Sequence, residues 1–195
     1  MSEHIEIEFK NLLTKDEFSS MKSFLGFMSQ DFKKQVNHYF DTTNFELKDQ
    51  GCALRVREKS GKYELTLKQP AVIGLLETNQ DLPASQALSI VKTGAIPPGP
   101  VSTAISKLKV NPAALTYFGS LTTERAEKEY KSGLIVLDHS TYLSAADFEI
   151  EYEVHDEKTG EEIFKSLLKK MHIPIRKTDN KIMRFYKQKQ LETQS

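Results

Sequence analysis

The chain has 195 residues, with 27 Lys and Arg against 27 Asp and Glu, so its formal net charge is zero. That balance argues against a protein that holds nucleic acid through a bulk positive field, and a composition of 28% charged and 38% hydrophobic residues is that of a soluble globular protein. A single cysteine, Cys52, excludes an internal disulfide and a cysteine-based metal cluster, and no apolar run approaches the ~20 residues of a membrane helix.

The N-terminus carries Glu3, Glu6 and Glu8 in place of a cationic start and an apolar stretch, so no signal peptide and a cytoplasmic location are expected. His4 to Lys10 alternates with a period of two. As a strand it sets Glu6, Glu8 and Lys10 on one face and Ile5, Ile7 and Phe9 on the other. A row of two carboxylates and an ammonium is costly if buried dry and useful if it lines a wet, polar cavity. Thr14 is placed to cap a helix, with Glu17 completing a capping box. Phe18, Met21, Phe24, Leu25 and Met28 follow at helical spacing and predict a helix that buries an aromatic and methionine face.

Gln35 to Asp41 forms a second strand, with Val36, His38 and Phe40 on one face and Asn37, Tyr39 and Asp41 on the other. Phe45 to Gln50 is a short turn or helical segment. Cys52 to Lys59 is a third strand that aligns Arg55, Arg57 and Lys59 opposite Leu54 and Val56. Ser60-Gly61-Lys62 is a hairpin turn, and the return strand Tyr63 to Pro70 aligns Glu64, Thr66 and Lys68 opposite Leu65 and Leu67. A short strand is expected over Leu75 to Asn79, then helices over Leu82 to Lys92 and Val101 to Lys109, separated by the Pro and Gly cluster of residues 96–100.

Leu115 to Tyr130 holds one or two strands, with Arg125, Glu127 and Glu129 on one face. A turn at Lys131-Ser132-Gly133 leads to a strand from Leu134 to Tyr142, in which Leu134, Val136 and Asp138 share a side. Asp147 to Val154 is the strongest alternation in the chain, with Asp147, Glu149, Glu151 and Glu153 opposite Phe148, Ile150, Tyr152 and Val154. Glu161 to Met171 predicts an amphipathic helix, followed by a basic segment from Ile175 to Tyr186 and a polar, frayed end beyond Lys187.

Antiparallel strands with one charged and one apolar face can close into a barrel with a polar interior, its outer face covered by the amphipathic helices. The expected class is therefore α+β, in a single domain over residues 1–190. The inward candidates sort into two kinds. Glu6, Glu8, Asp138, Glu149 and Glu151, with Glu153 on the same face, are hard oxygen ligands suited to Mg²⁺ or Mn²⁺. Lys10, Arg55, Arg57, Lys68, Arg125, Lys181 and Arg184 are cations suited to phosphate. Removing Glu149 or Glu151 from such an interior is expected to relieve repulsion and leave the fold intact.

In this order, Glu6-Ile7-Glu8-Phe9-Lys10, Tyr39-Phe40-Asp41-Thr42, Leu54-Arg55-Val56-Arg57, Leu65-Thr66-Leu67-Lys68, Arg125, Asp138, Phe148-Glu149-Ile150-Glu151 and Lys181 resemble the CYTH domain, or triphosphate tunnel metalloenzyme, superfamily. The resemblance implies an eight-stranded antiparallel tunnel that binds a triphosphate with Mg²⁺ or Mn²⁺. It implies metal ligation by Glu6, Glu8, Glu149 and Glu151 with help from Asp138. It further implies phosphate binding by Lys10, Arg55, Arg57, Lys68, Arg125 and Lys181, with Arg184 the C-terminal alternative, and a proton-accepting role within the family for a lysine and a tyrosine, here Lys68 and Tyr39. The expected activity is a metal-dependent hydrolysis of triphosphate compounds, most simply inorganic tripolyphosphate, with thiamine triphosphate or a nucleoside triphosphate as further substrates. An adenylate cyclase and a non-catalytic polyphosphate or nucleotide sensor are the alternatives. The expected partner is a small-molecule triphosphate, with no membrane and no double-stranded nucleic acid.

Overall fold

The computed structural model describes residues 2–193. Among them are eight strands: β1 (Ser2–Leu13), β2 (Lys33–Thr42), β3 (Ala53–Lys59), β4 (Lys62–Pro70), β5 (Leu75–Leu82), β6 (Leu115–Tyr130), β7 (Gly133–Tyr142) and β8 (Ala145–Val154). The α-helices are α1 (Lys15–Leu25), α2 (Glu46–Asp49), α3 (Ala84–Thr93), α4 (Pro100–Lys107), α5 (Glu157–Lys170) and α6 (Lys181–Thr193). The strands follow the order β1-β5-β4-β3-β2-β6-β7-β8 in a closed antiparallel barrel. The chain also divides into two compact units, residues 35–120 with β1 as far as Ile5, and Glu6–Lys34 with the residues from Leu121 onward.

In the first unit, β2 to β5 form a meander. The β3–β4 turn places Ser60 and Gly61 at φ 53° and 74°, the left-handed pair that a two-residue hairpin needs to match strand twist. Phe40, Leu54, Val56, Leu65, Leu67 and Leu82 leave one face of this sheet and pack against Ala87 and Ile90 of α3 and Val101, Ala104 and Ile105 of α4. The opposite face carries the charged side chains. Asp41 anchors the chain after β2: its carboxylate accepts from the backbone N–H groups of Thr42 at 2.8 Å and of Leu47 and Lys48 at 3.0 Å, which caps α2.

In the second unit, Ile135, Leu137, Ile150, Tyr152 and Val154 pack with Met21 and Leu25 of α1 and Phe164, Leu167 and Leu168 of α5. The expected capping box is present: Thr14 Oγ1 accepts from Glu17 N, and the Glu17 carboxylate accepts from Thr14 N. The helix stops at Gly26, whose φ of 69° forms a left-handed cap. Met28 therefore lies beyond the helix and is 59% exposed, and Phe24 turns outward under the Lys170 ammonium at 4.6 Å, so the buried face is narrower than the spacing suggested. Gly160 explains itself by contact. A Cβ there would sit 2.6 Å from Val154 Cγ2, so only glycine lets α5 lie this close to β8.

Two boundaries depart from the sequence expectation. Helix α5 starts a turn earlier than Glu161 because the Asp156 carboxylate accepts from Thr159 N at 2.8 Å and caps it there. Residues 188–193 are not frayed: α6 runs to Thr193, and Glu192 and Gln188 on it bind Ser144 in the β7–β8 turn, while residues 194 and 195 lie outside the described residues. Of the one or two strands expected over residues 115–130, the structure has one.

Candidate active site

Strand register decides which charges share a face, because directly opposed antiparallel residues point to the same side. In the first unit three rows run across the sheet away from the helices. One holds Asn37, Arg57, Glu64 and Asp81, the next Tyr39, Arg55, Thr66 and Asn79, and the third Ala53, Lys68 and Glu77. All four residues predicted here, Tyr39, Arg55, Arg57 and Lys68, thus lie on one face. Each cation has acidic company that sequence reasoning did not assign. Arg57 Nη2 donates to Glu64 Oε1 at 2.5 Å, and Lys68 Nζ lies 2.5 Å from Glu77 Oε1. Burial raises the pKa of Glu77, but Lys68 and Arg55 outweigh it and hold that carboxyl down at about 2. The Lys68 ammonium thus faces a carboxylate that is held ionised. Tyr39 is buried beside Arg55.

In the second unit, β1 pairs with β8 so that Glu8 lies opposite Glu153 and Lys10 opposite Glu151, and β7 pairs with β8 so that Asp138 lies opposite Glu149. Arg125 lies opposite Asp138 on β6. The carboxylates assemble as two groups. Ligand oxygens of Glu6, Glu8 and Glu153 all lie within 4.8 Å of one another, and so do those of Asp138, Glu149 and Glu151.

The second group is already neutralised. Arg125 grips Asp138 with two bonds of 2.8 and 2.7 Å and reaches Glu151 at 2.6 Å. Lys181 lies 2.9 Å from Asp138 and 2.7 Å from Glu149 and also contacts Glu151. Arg184 donates to Asp147 at 2.8 Å, to Glu149 at 2.7 Å and to the Asp179 carbonyl at 2.5 Å. Asp138 and Glu149 have no exposed surface, so these are buried pairs. Burial raises the Glu151 pKa, yet Lys181, Arg125 and Lys10 hold it well below the usual carboxylate range. The expectation that removing Glu149 or Glu151 would relieve repulsion is therefore overturned, since each carboxylate satisfies buried cations. Helix α6 was the unread element: it delivers both Lys181 and Arg184 from one face, three residues apart.

In the first group Glu8 pairs with Lys10, and the Arg125 guanidinium stands 3.9 Å from Glu153. Burial, reinforced by Glu6, Glu151 and Glu8 against Arg125, pushes the Glu153 carboxyl up to about 7. Three converging carboxylates are hard oxygen donors that fit Mg²⁺ or Mn²⁺ by donor chemistry. Glu153 was visible in the sequence as the last acidic residue of the β8 alternation, but its place beside Glu6 and Glu8 depends on the β1–β8 register, which no spacing reveals.

A closed antiparallel barrel whose strands carry acidic clusters and cations on the faces opposite α1, α3, α4 and α5 defines a β-barrel protein with charged strand faces. The CYTH domain model matches residues 4–186, and the chain belongs to that family. It is 52% identical over 189 residues to the Bacillus subtilis protein described as "Putative triphosphatase YjbK", which covers 97% of this chain and 98% of that protein. A crystal structure described as a "putative adenylate cyclase" of Bacillus halodurans superposes with a TM-score of 0.93 at 43% identity, covering 95% of this chain and all of that one. The fold extends to a Hippeastrum protein at 19% identity and a TM-score of 0.79, over 94% of this chain and 96% of that one. That protein is described as a putative adenylyl cyclase with a dominant triphosphatase activity. No helix among the described residues is long and apolar enough to cross a membrane.

Proposed function

We propose that this protein is a divalent-metal-dependent hydrolase of triphosphate compounds. The observation that carries the proposal is the convergence of carboxylates in two groups on the charged strand faces, Glu6, Glu8 and Glu153 in one and Asp138, Glu149 and Glu151 in the other, with ligand oxygens within 4.8 Å of one another in each. Family membership and the 52% identical relative described as a putative triphosphatase support the same reading.

Glu6, Glu8 and Glu153 would hold the ion. Bound there, Mg²⁺ or Mn²⁺ supplies Lewis-acid polarisation of a phosphoryl group. Arg55, Arg57 and Lys68 bind phosphate oxygens, with the guanidinium forks giving paired donors that fix orientation. Glu64 and Glu77 hold Arg57 and Lys68 in place before the substrate arrives, so little reorganisation is needed as charge develops on the equatorial oxygens. Lys10 adds a cation beside the metal ligands, and the carboxylate Glu8 keeps it charged: burial alone would lower its pKa, but Glu8, Glu151 and Glu149 raise it. Tyr39, beside Arg55, would orient the attacking water or accept its proton. Arg125 and Lys181 hold the acidic strands together and lend their charge to the same face.

The test is phosphate release from tripolyphosphate, thiamine triphosphate and ATP, each with Mg²⁺, with Mn²⁺ and with chelator. Release that requires metal is the expected result. Cyclic AMP from ATP without phosphate release would instead assign the activity named for the Bacillus halodurans protein, and tight tripolyphosphate binding with no product would leave a sensor.

A further inference from the structure

Asn11 stands in an apolar row. Alternation along β1 sets it on the face of Ile7, Phe9 and Leu13, which pack into the core of the second unit, and it has no exposed surface. Burying an amide is costly unless its polar ends are hydrogen-bonded. Asn11 spends both ends on the segment that leads into α6: Oδ1 accepts from Arg176 N at 2.6 Å, and Nδ2 donates to the Pro174 carbonyl at 3.1 Å. The next residue completes the seat. Leu12 N donates to Thr178 Oγ1 at 3.0 Å, and the Leu12 carbonyl accepts from Arg176 Nη1 at 2.8 Å. Arg176 also holds the Glu17 carboxylate with two bonds of 2.8 Å, and Glu17 is itself fixed by the capping box of α1. Ile175 is 67% exposed, so polar bonds rather than burial tie this strap down.

The strap ends where α6 begins. Asn180 Oδ1 accepts from Met183 N at 3.0 Å and caps the helix, which makes Lys181 its first residue. The helix dipole opposes a cation at that end, and no acidic residue of the first turn offsets it. Lys181 therefore owes its place to what lies around it. In front are the carboxylates of Asp138, Glu149 and Glu151, which its ammonium contacts. Behind is the strap, which holds the start of α6, while Arg184 holds the helix one turn further on through Asp147 and Glu149.

We infer that Asn11 and Arg176 are positioning residues: by seating the strap they hold the Lys181 ammonium on the charged strand face. The inference rests on the triphosphate reading above, in which Lys181 lends its charge to that face, and it names what keeps the charge in place. Strand β1 then serves the site twice, presenting Glu6, Glu8 and Lys10 on its charged side and anchoring Lys181 through Asn11 on the other.

The experiment is a pair of double-mutant cycles, Asn11→Leu with Lys181→Met and Arg176→Leu with Lys181→Met. Each protein is read by calorimetric binding of a methylene-bridged tripolyphosphate analogue in Mg²⁺ and by amide hydrogen exchange across α6. Either strap variant alone should weaken the analogue about tenfold, the effect of displacing a charged group from its working geometry, and should speed exchange in α6. Added to Lys181→Met, the same change should cost no more than about twofold, because the group it positions is already gone. A general loosening of the fold would lower affinity by the same factor in both backgrounds, and that result overturns the proposal. So does unchanged binding in both strap variants, or exchange in α6 no faster than in wild type. If Asn11→Leu fails to fold, Arg176→Leu decides by the same criteria, since the Arg176 side chain is 32% exposed and leaves β1 intact. Failure of the analogue to bind wild type would reject the triphosphate reading, and the exchange result would then decide the strap by itself.

Discussion

Lys181→Met tests the neutralised carboxylate cluster directly. The Lys181 ammonium stands within 2.9 Å of both Asp138 and Glu149 and also touches Glu151, and none of the four side chains is more than 11% exposed. Asp138, Asp147, Glu149 and Glu151 make direct ion pairs with Arg125, Lys181 and Arg184, so removing Lys181 takes away one of the cations that neutralise the cluster. Methionine keeps most of the volume, which confines the effect to charge. Breaking one side of a buried ion pair costs about 3–5 kcal/mol, and in a protein of this size that corresponds to a fall of roughly 6–20 °C in melting temperature. Thermal melts of both proteins in chelator measure it, and millimolar Mg²⁺ should recover part of the loss in the variant by entering the vacated position. A variant within about 1 kcal/mol of wild type would refute the view that Lys181 neutralises a buried acidic cluster.

Gly160→Ala should lower stability by about 1–3 kcal/mol, the usual cost of forcing extra volume into a packed contact, because the new methyl would lie 2.6 Å from Val154 Cγ2; urea unfolding reads this out. Glu77, held at about 2 in the folded protein, has a carboxyl pKa below its usual value, so its contribution to stability is present above about pH 4.5 and is lost as pH falls toward 2. Glu77→Gln should flatten the acid limb of the stability profile across that window, although Lys68, Arg55 and His4 also face the position; an unchanged limb would deny the Lys68–Glu77 pair its role. Arg55→Ala should raise KM for tripolyphosphate about tenfold or more, with Mn²⁺ affinity close to wild type.

Much of the fold is legible in the sequence because a period of two is hard to mistake over six or more residues. The alternations around Glu6, Arg55, Lys68 and Glu149 each place their charges on one strand face, and the apolar faces opposite pack against α1, α3, α4 and α5. What the sequence withholds is pairing across strands. Glu153 joins Glu6 and Glu8 only through the register of β1 against β8, strands far apart in the chain, and Glu149 meets Lys181 and Arg184 only because α6, whose Lys181 is 32 residues downstream, reaches it. Helix α6 escaped notice because its apolar residues, Ile182, Phe185 and Tyr186, are embedded among lysines and arginines that read as a basic segment. Phe24 and Met28 mislead in the opposite direction: Phe24 lies in the helix but on its outer side under Lys170, and the Gly26 cap ends the helix before the spacing reaches Met28.

The measurement that bears most directly on the central claim is a calorimetric Mn²⁺ titration of wild type and Glu153→Gln, run beside tripolyphosphate turnover in the same metal. Loss of a Mn²⁺ site together with loss of turnover in the variant is the expected result, since one of three converging carboxylates is gone. Unaltered Mn²⁺ binding and unaltered metal-dependent turnover in Glu153→Gln would contradict it.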